Sequence, residues 1–463
     1  MKELTYMSAT RLADSIRKKE VSSEEVINAN LERIEEVNPR INAVVQFADT
    51  AIDRAREADS ALARGEIKGP LHGVPMTIKD NLDTAGVIST GGTMGRASFI
   101  PEKDATVVAR MYEAGAILLG KTNTPEFTLS FETDNLIYGR TSNPYDLSRS
   151  SGGSSGGAAA IIAAGGSPMD IGSDAAGSIR FPTHCCGTAG IKPTAGRVPR
   201  TGHIVPAAGP ADAFNHIGPI ARFVEDLALI LPIISGPDWY DQTVVPMPIN
   251  DPDLVDLKAL RAALYTDNGL MTPTRDIVDT VNSAAKALSD TGMAVEEARP
   301  NVFDQVMEIF FGITGADGGS RLKSLLREYG TTDIHPSIRR LIERAASRSM
   351  SATDLTDLWT RWDIFKSDML SFMEQYDLII CPVCALTALE HGATADPGKF
   401  IGFSYTTTYN LTGWPCVVVR CGTSADGLPI GVQIVARPWR EDVALAAGRY
   451  LEKQLGGWQP PPL

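Results

Sequence analysis

Cysteine is scarce in this chain, with six residues in 463. So low a count excludes a disulfide scaffold. Cys381 and Cys384 form a C-P-V-C pair of the kind found in zinc and redox sites. A structural zinc needs four ligands, and no second CxxC or Cys/His pair completes the set. Because the pair follows the apolar run 378–380, we predict that both residues are small buried packing residues at a strand end, and we interpret Cys185 and Cys186 in the same way.

Long apolar runs and an excess of positive charge are also missing. The longest apolar stretches, 158–164 and 227–234, are too short to cross a bilayer, and the N-terminus has no signal-peptide core. Lys and Arg number 43 against 56 Asp and Glu, which gives a net charge of −13. Such a field repels polyphosphate and anionic lipid. We therefore predict a cytoplasmic protein that binds neither nucleic acid nor a membrane.

The chain begins with helices and then alternates between strand and helix. Ser22 and Glu25 form a capping box that opens a helix ending near Pro39, and a second helix is predicted over 50–63. From Gly69 onward short β-like runs appear, among them a strand over 74–79, a helix over 105–114 and a strand over 116–119. This alternation predicts an α/β fold in which a large sheet lies between helices on both faces.

The later part of the chain interrupts the sheet and then completes it. Segment 246–375 is polar and mainly helical, with helices predicted over 274–290, 338–348 and 355–372. Strand patterns return after Tyr376, Pro415 and Leu428. We therefore predict one domain over 1–463, made of N-terminal helices (1–66), a core (67–245), a helical insertion (246–375) and a sheet completion (376–463).

A segment rich in glycine and serine carries the first chemical signal. Residues 152–156 read G-G-S-S-G, which matches the G-x-S-x-G nucleophile elbow with Ser154 as the attacking serine. His335 and His391 lie downstream, as the chain order of an α/β-hydrolase-like esterase requires. Neither stands in a context that resembles a triad loop. A phosphate cradle is disfavoured, because a P-loop ends in G-K-[ST] and this loop continues G-G-A.

A lysine offers a different base for a serine nucleophile. Lys79 ends the predicted strand 74–79 and is followed by Asp80 and Asn81. Burial disfavours a charged ammonium, so a lysine at such a position can be neutral near pH 7. Taken alone, however, a lysine at a strand end is more often paired or snorkelling.

The combination of motifs is more specific than any one of them. Five segments occur in order at close spacing: GPLHGVPMTIKDNLDTAG, GAILLGKTNTPEF, SGGSSGGAAA, GSDAAGSIRFP and GTAGIKPTAGRVP. Together they resemble the amidase signature family, over about residues 12–451 and least clearly over 251–376. The resemblance implies that family's fold, a large twisted mixed sheet between helices with a helical insertion. It also implies hydrolysis of amides without a metal or an organic cofactor.

The resemblance assigns roles to particular residues. It implies that Ser178 is the nucleophile, Ser154 the relay after a cis peptide bond, and Lys79 the base. Backbone N–H groups of Ala175, Ala176, Gly177 and Ser178 would form the oxyanion hole. Supporting contacts are expected from a further set: Ser155 donating to Lys79 or the substrate, Ser173 and Asp174 bonding to the loop or the lysine, and Arg180 anchoring the next turn.

One departure from the family pattern concerns the loop before Ser178. Family members commonly have two glycines there, whereas this chain has Ala175, Ala176 and then Gly177. If either alanine required a positive φ, the strain would cost about 1 kcal/mol or more.

The substrate is predicted less directly. One member of the family is the glutaminase (A) subunit of the tRNA-dependent amidotransferase. The resemblance implies that this subunit has an arginine at the position where this chain has Trp362, which stands beside Arg361. It also implies an acid within the segment that matches 399–405. Neither charge is evident here, and aromatic residues dominate instead: Trp359, Trp362, Phe365, Phe400, Phe403 and Trp414. An uncharged, partly apolar or aryl small-molecule amide is favoured, with carbamates (urethanes) and esters next and, as an alternative, the substrate of the glutaminase subunit. The oligomeric state stays open, a homodimer included.

Overall fold

The computed structural model describes residues 2–206 and 209–463. Within them, eleven strands form one sheet: β1 Val44–Phe47, β2 Pro75–Lys79, β3 Ile117–Thr122, β4 Met169–Asp174, β5 Ala189–Lys192, β6 His216–Ala221, β7 Arg261–Leu264, β8 Ala294–Glu297, β9 Leu378–Pro382, β10 Cys416–Thr423 and β11 Pro429–Ala436. Their order is β1-β3-β2-β4-β6-β5-β10-β11-β9-β7-β8. The sheet is mixed, since β2 is parallel to both β3 and β4 whereas β4 is antiparallel to β6.

The helices of the described residues follow in chain order. They are α1 Lys2–Tyr6, α2 Ala9–Arg17, α3 Ser23–Ile41, α4 Ala51–Ala63, α5 Thr106–Glu113, α6 Gly156–Ala163, α7 Arg180–Cys186, α8 Val224–Ile234, α9 Arg275–Ser289, α10 Val306–Gly315, α11 Ser320–Glu328, α12 Pro336–Ala346, α13 Ala352–Met373, α14 Pro397–Phe400, α15 Ser404–Thr412 and α16 Glu441–Leu455. None of them is long and apolar enough to cross a membrane.

Both faces of the sheet are covered, as strand β9 illustrates. Leu378 and Ile380 belong to one apolar cluster, which includes residues of α8, α9 and α16. Ile379 and Cys381 point the other way, into a cluster that contains residues of α10, α13 and α15. All four side chains are fully buried. The predicted α/β architecture of a sheet between two helical layers is confirmed, and the cysteines of this strand end are packing residues.

Helix α3 and segment 246–375 differ from the predictions. Helix α3 begins at the predicted capping box but runs past Pro39 to Ile41, where Asn42 with a φ of 50° ends it. A proline so near the end of a helix removes only one hydrogen bond from the final turn. Segment 246–375 is mainly helical but is not a purely helical insertion, because it also contributes β7 and β8 to one edge of the sheet. Both strands have four residues. β7 has two adjacent buried alanines and β8 is largely exposed, so neither shows an alternating pattern.

Candidate active site

The site lies where two neighbouring parallel strands end. β2 ends at Lys79 and β4 ends at Asp174, and Thr77 pairs with Asp170 between them. The carboxyl ends of parallel strands meet at one edge of a sheet, where α/β proteins commonly place their ligands. There the Lys79 Nζ donates to the Ser173 Oγ over 3.1 Å.

The loop before α6 brings a second serine to the same lysine. The Lys79 Nζ donates to the Ser154 Oγ over 2.7 Å. The peptide bond between Gly153 and Ser154 is cis, as the resemblance implies. Ser154 is buried, with 1% of its surface exposed, whereas Ser178 is 7% exposed and lines a cavity. The two serines therefore differ in access, and Ser178 is the one that a small molecule can reach.

Lys79 lies in surroundings that favour its neutral form. It is fully buried, and burial lowers the pKa of its ammonium to about 7, although Asp170 and Asp174 act to raise that pKa. Within the described ranges its Nζ donates only to the two serine hydroxyls and forms no ion pair. Asp170 is also fully buried, and burial raises the pKa of its carboxyl to about 7. Burial thus favours the neutral form of both groups.

Asp174 holds the loop that precedes Ser178. Its carboxylate accepts hydrogen bonds from the N–H groups of Gly177 (2.8 Å) and Ile179 (3.1 Å), and Arg180 pairs with it over 2.8 Å. Burial alone would raise the pKa of Asp174, but Arg180 and the Asn410 amide hold it well below its usual range. Asp174 and Arg180 therefore fix the shape of the loop, and Asp174 does not bond to the lysine.

This loop corrects one expectation about the oxyanion hole. The Gly177 N–H donates to the Asp174 carboxylate, so it is not free to bind an oxyanion. In the part of the chain that the structure describes, the N–H groups of Ala175, Ala176 and Ser178 have no protein acceptor. All three residues line the cavity, so their N–H groups are the candidate oxyanion donors of this loop.

The two alanines cause no backbone strain. Neither Ala175 nor Ala176 has a positive φ, whereas Gly177 has a φ of 133°. A Cβ atom on Gly177 would lie 2.4 Å from the Thr406 Oγ1. The glycine that the loop needs is thus the one that this chain retains.

Ser155 does not make one of its two predicted contacts. It donates its N–H to the Ser178 carbonyl over 3.1 Å and its hydroxyl to the Ser173 carbonyl over 3.4 Å. The expected donation to Lys79 is not made, because the side chain is turned toward β4. Ser155 instead fixes the backbone beside Ser178.

No described histidine hydrogen-bonds to Ser154 or Ser178. His391 bonds to Glu132 over 3.1 Å, and His335 bonds to Ser337 over 2.8 Å. The nucleophile-elbow interpretation of Ser154 therefore lacks its base. Within residues 2–206 and 209–463, no group of three or more His, Cys, Asp or Glu side chains is arranged to hold a metal ion.

Ser178 opens onto a cavity of about 400 Å³. The aromatic residues that line it are Phe131, Phe310, Phe311 and Phe400. Its remaining wall is more polar than the sequence suggested, since three arginines also line it: Arg140, Arg340 and Arg344.

The aromatic residues named from the sequence contribute little to this cavity. Of the six proposed aromatics only Phe400 lines the cavity; Trp359 is exposed, and Trp362, Phe365, Phe403 and Trp414 pack in the core. Phe310 and Phe311 lie far from the motifs in the chain, whereas Phe131 lies four residues after the segment that ends at Phe127. Arg340 and Arg344 had one signal, their four-residue spacing on the predicted helix 338–348, whereas Arg140 had none.

Comparison with known proteins is consistent with this geometry. Residues 25–445 match the family model Amidase. The chain belongs to the amidase signature family. It is 36% identical to the A subunit of the glutamyl-tRNA(Gln) amidotransferase of Moorella thermoacetica, with 97% of each chain covered. It is 34% identical to an acylamidase of Rhodococcus erythropolis, over 97% of this chain and 95% of the relative.

A solved structure of the same family has a similar fold. A bacterial aryl acylamidase superposes with a TM-score of 0.87 at 27% identity, over 97% of this chain and 96% of the other. As a member of the amidase signature family, the chain is a hydrolase of amide C–N bonds.

Proposed function

We propose that this amidase hydrolyses small amides in which the group beside the scissile carbonyl is uncharged and apolar or aryl. Ser178 would attack, Ser154 would relay the proton, and Lys79 would be the base. The observation that carries the proposal is the 2.7 Å hydrogen bond from a buried lysine to a buried serine, beside a second serine that opens onto a cavity.

The proton transfers follow from these positions. Neutral Lys79 takes the proton of the Ser154 hydroxyl, and Ser154 takes the proton of Ser178 as the Ser178 Oγ attacks the carbonyl carbon. The oxyanion that forms is stabilised by backbone N–H groups at Ala175, Ala176 and Ser178. The proton then returns through Ser154 to the departing amine, which leaves an acyl ester on Ser178.

The second half-reaction uses the same groups in reverse. A water molecule loses a proton through Ser154 to Lys79 and attacks the ester carbonyl. The carboxylic acid departs as Ser178 regains its proton. Carbamates and esters undergo the same acyl transfer with a different leaving group, so we propose them as further substrates.

The glutaminase function of a tRNA-dependent amidotransferase is the second candidate, because the relative from Moorella thermoacetica is a component of such an amidotransferase by name. Two contacts argue against glutamine at the predicted position. Trp362 is buried and donates its indole N–H to the Leu411 carbonyl over 2.9 Å. Arg361 beside it pairs with Glu308 at the surface, 2.7 Å away. Neither side chain lines the cavity that holds Ser178.

The test is reaction with a fluorophosphonate followed by peptide mass spectrometry. We expect one adduct, on Ser178, and its loss in Ser178→Ala. Ser148→Ala, which changes an exposed serine, is the control and should be labelled like the parent. An adduct on Ser154 would contradict the proposal and support the nucleophile elbow.

A substrate panel separates the two candidate functions. Anilides, aliphatic amides, carbamates, esters and glutamine are compared by kcat/KM. We expect the anilides and aliphatic amides to be hydrolysed faster than glutamine. Hydrolysis of glutamine alone would favour the amidotransferase function.

A further inference from the structure

One face of helix α12 lines the cavity that holds Ser178. Ser337, Arg340, Leu341 and Arg344 all reach it. Their spacing of three, four and seven residues from Ser337 places them on one side of the helix. From Ser337 to Arg344 the helix rises about 10 Å. The α12 face therefore forms an extended wall beside the nucleophile.

The two arginines of this wall lack an ion-pair partner among the residues that the structure describes. Among the described residues, neither Arg340 nor Arg344 forms an ion pair, although the whole chain carries a charge of −13. The two carboxylates of the cavity are engaged elsewhere. Glu132 accepts the Gly392 N–H over 2.8 Å, and Asp134 lies 3.7 Å from His335.

The spacing of the positive charges also makes them repel one another. Arg340 and Arg344 lie four residues apart on α12, and like charges at that spacing destabilise a helix. Arg348 follows four residues later, beyond the end of α12. Arg348 lies over the Phe311 ring, 4.3 Å from its centroid, and so has a favourable contact. No described aromatic ring lies under Arg340 or Arg344 in this way. A bound anion would relieve the repulsion between them.

We propose that Arg340 and Arg344 bind a carboxylate that the substrate carries away from its scissile bond. The inference rests on the proposed function and narrows its substrate class. An arginine fork matches a carboxylate with two parallel hydrogen bonds. Phe310 and Phe311 in the same cavity offer apolar surface for the part of the substrate between the amide and the carboxylate. The predicted substrate is an amide joined to a carboxylate by an apolar or aryl spacer.

The test compares matched substrates that differ only in that charge. One pair places it on the acyl side: the mono-p-nitroanilide of adipic acid and the p-nitroanilide of hexanoic acid. The other pair places it on the amine side: N-acetyl-4-aminobenzoate and acetanilide. We expect the carboxylate to raise kcat/KM about tenfold in at least one pair, mainly through KM, and added salt to reduce that preference because the arginines are partly exposed.

The matched variants are Arg340→Gln with Arg344→Gln, and the control Arg339→Gln. Arg339 is exposed on the same helix but does not line the cavity. The double variant should lose the preference, and the control should keep it. Equal rates within both pairs, or a preference that survives in the double variant, would overturn the inference.

The phosphonate experiment keeps this failure separate from failure of the proposed function. If the parent is labelled on Ser178 and hydrolyses the neutral anilide but ignores the carboxylate, only the arginine inference is wrong. If Ser178 is not labelled, the proposed mechanism is wrong. A preference for glutamine that depends on Arg340 and Arg344 would contradict the predicted apolar or aryl spacer and would support the glutaminase function.

Discussion

The pH dependence of amide hydrolysis tests the proposed base directly. Lys79 must be neutral to accept a proton from Ser154, and burial lowers the pKa of Lys79 from 10.5 to about 7. This difference corresponds to roughly 5 kcal/mol that disfavours the charged form in the folded protein. We therefore expect kcat/KM for a neutral anilide to rise about tenfold per pH unit below pH 7 and to level off above it.

The assay is steady-state hydrolysis between pH 5 and 10, with protein stability checked at each pH. At pH 6 the rate should be about a tenth of the plateau, because about a tenth of Lys79 is neutral. Lys79→Met should lower kcat/KM by about 10² to 10⁴ and abolish the rise through pH 7. Lys286→Met, at an exposed lysine that pairs with Asp290, is the matched control and should leave the profile unchanged. A rate that keeps rising to pH 9 in the parent, or a Lys79→Met profile that retains the step, would refute the reasoning.

Three further substitutions follow from the same contacts. Asp170→Asn removes a carboxylate that raises the pKa of Lys79, so the acidic limb of the kcat/KM profile should move to lower pH; a move to higher pH would contradict this. Asp174→Asn leaves the Arg180 guanidinium in a buried site without its charge partner, which should lower the free energy of unfolding by about 3–5 kcal/mol in urea titrations. Gly177→Ala brings a Cβ against Thr406, so kcat/KM should fall at least tenfold (about 1.4 kcal/mol) while far-UV circular dichroism keeps its folded signal, and an unchanged rate would show that the loop tolerates the side chain.

The motifs of the core were predictable because each is contiguous in the chain. Lys79 ends a predicted strand within an alternation of strands and helices. Ser154 and Ser178 lie in short segments rich in small residues. The loop hydrogen bonds were harder to predict. That Gly177 donates to Asp174, and Ser155 to the Ser178 carbonyl, depends on how β4 turns into α7. Sequence patterns indicate that such a loop exists but not which amides point into the cavity.

Strands β7 and β8 were not predicted from the sequence because buried and exposed residues do not alternate in either of them. β8 has the sequence AVEE and is mostly exposed, so alternation of apolar and polar residues is absent. β7 is defined mainly by parallel pairing with β8 and β9. Pairing between segments more than a hundred residues apart, such as β7 and β9, is a tertiary property, and composition within either segment does not reveal it.

The same distinction explains why similarity to relatives identifies the reaction of this protein, amide hydrolysis, more firmly than its substrate. The proposed base and relay lie in β2 and the loop before α6, inside the motifs that resemble the family. The cavity wall comes from segments far apart in the chain: 128–140, helices α10 and α12, and 392–400. A substitution on α12 can change the charge that a substrate meets without moving Lys79 or Ser154. Similarity to both an acylamidase and a component of an amidotransferase is therefore compatible with either substrate. Because Arg340 and Arg344 could pair with the carboxylate of either, it is the comparison of glutamine with anilides that do and do not carry a carboxylate that separates them.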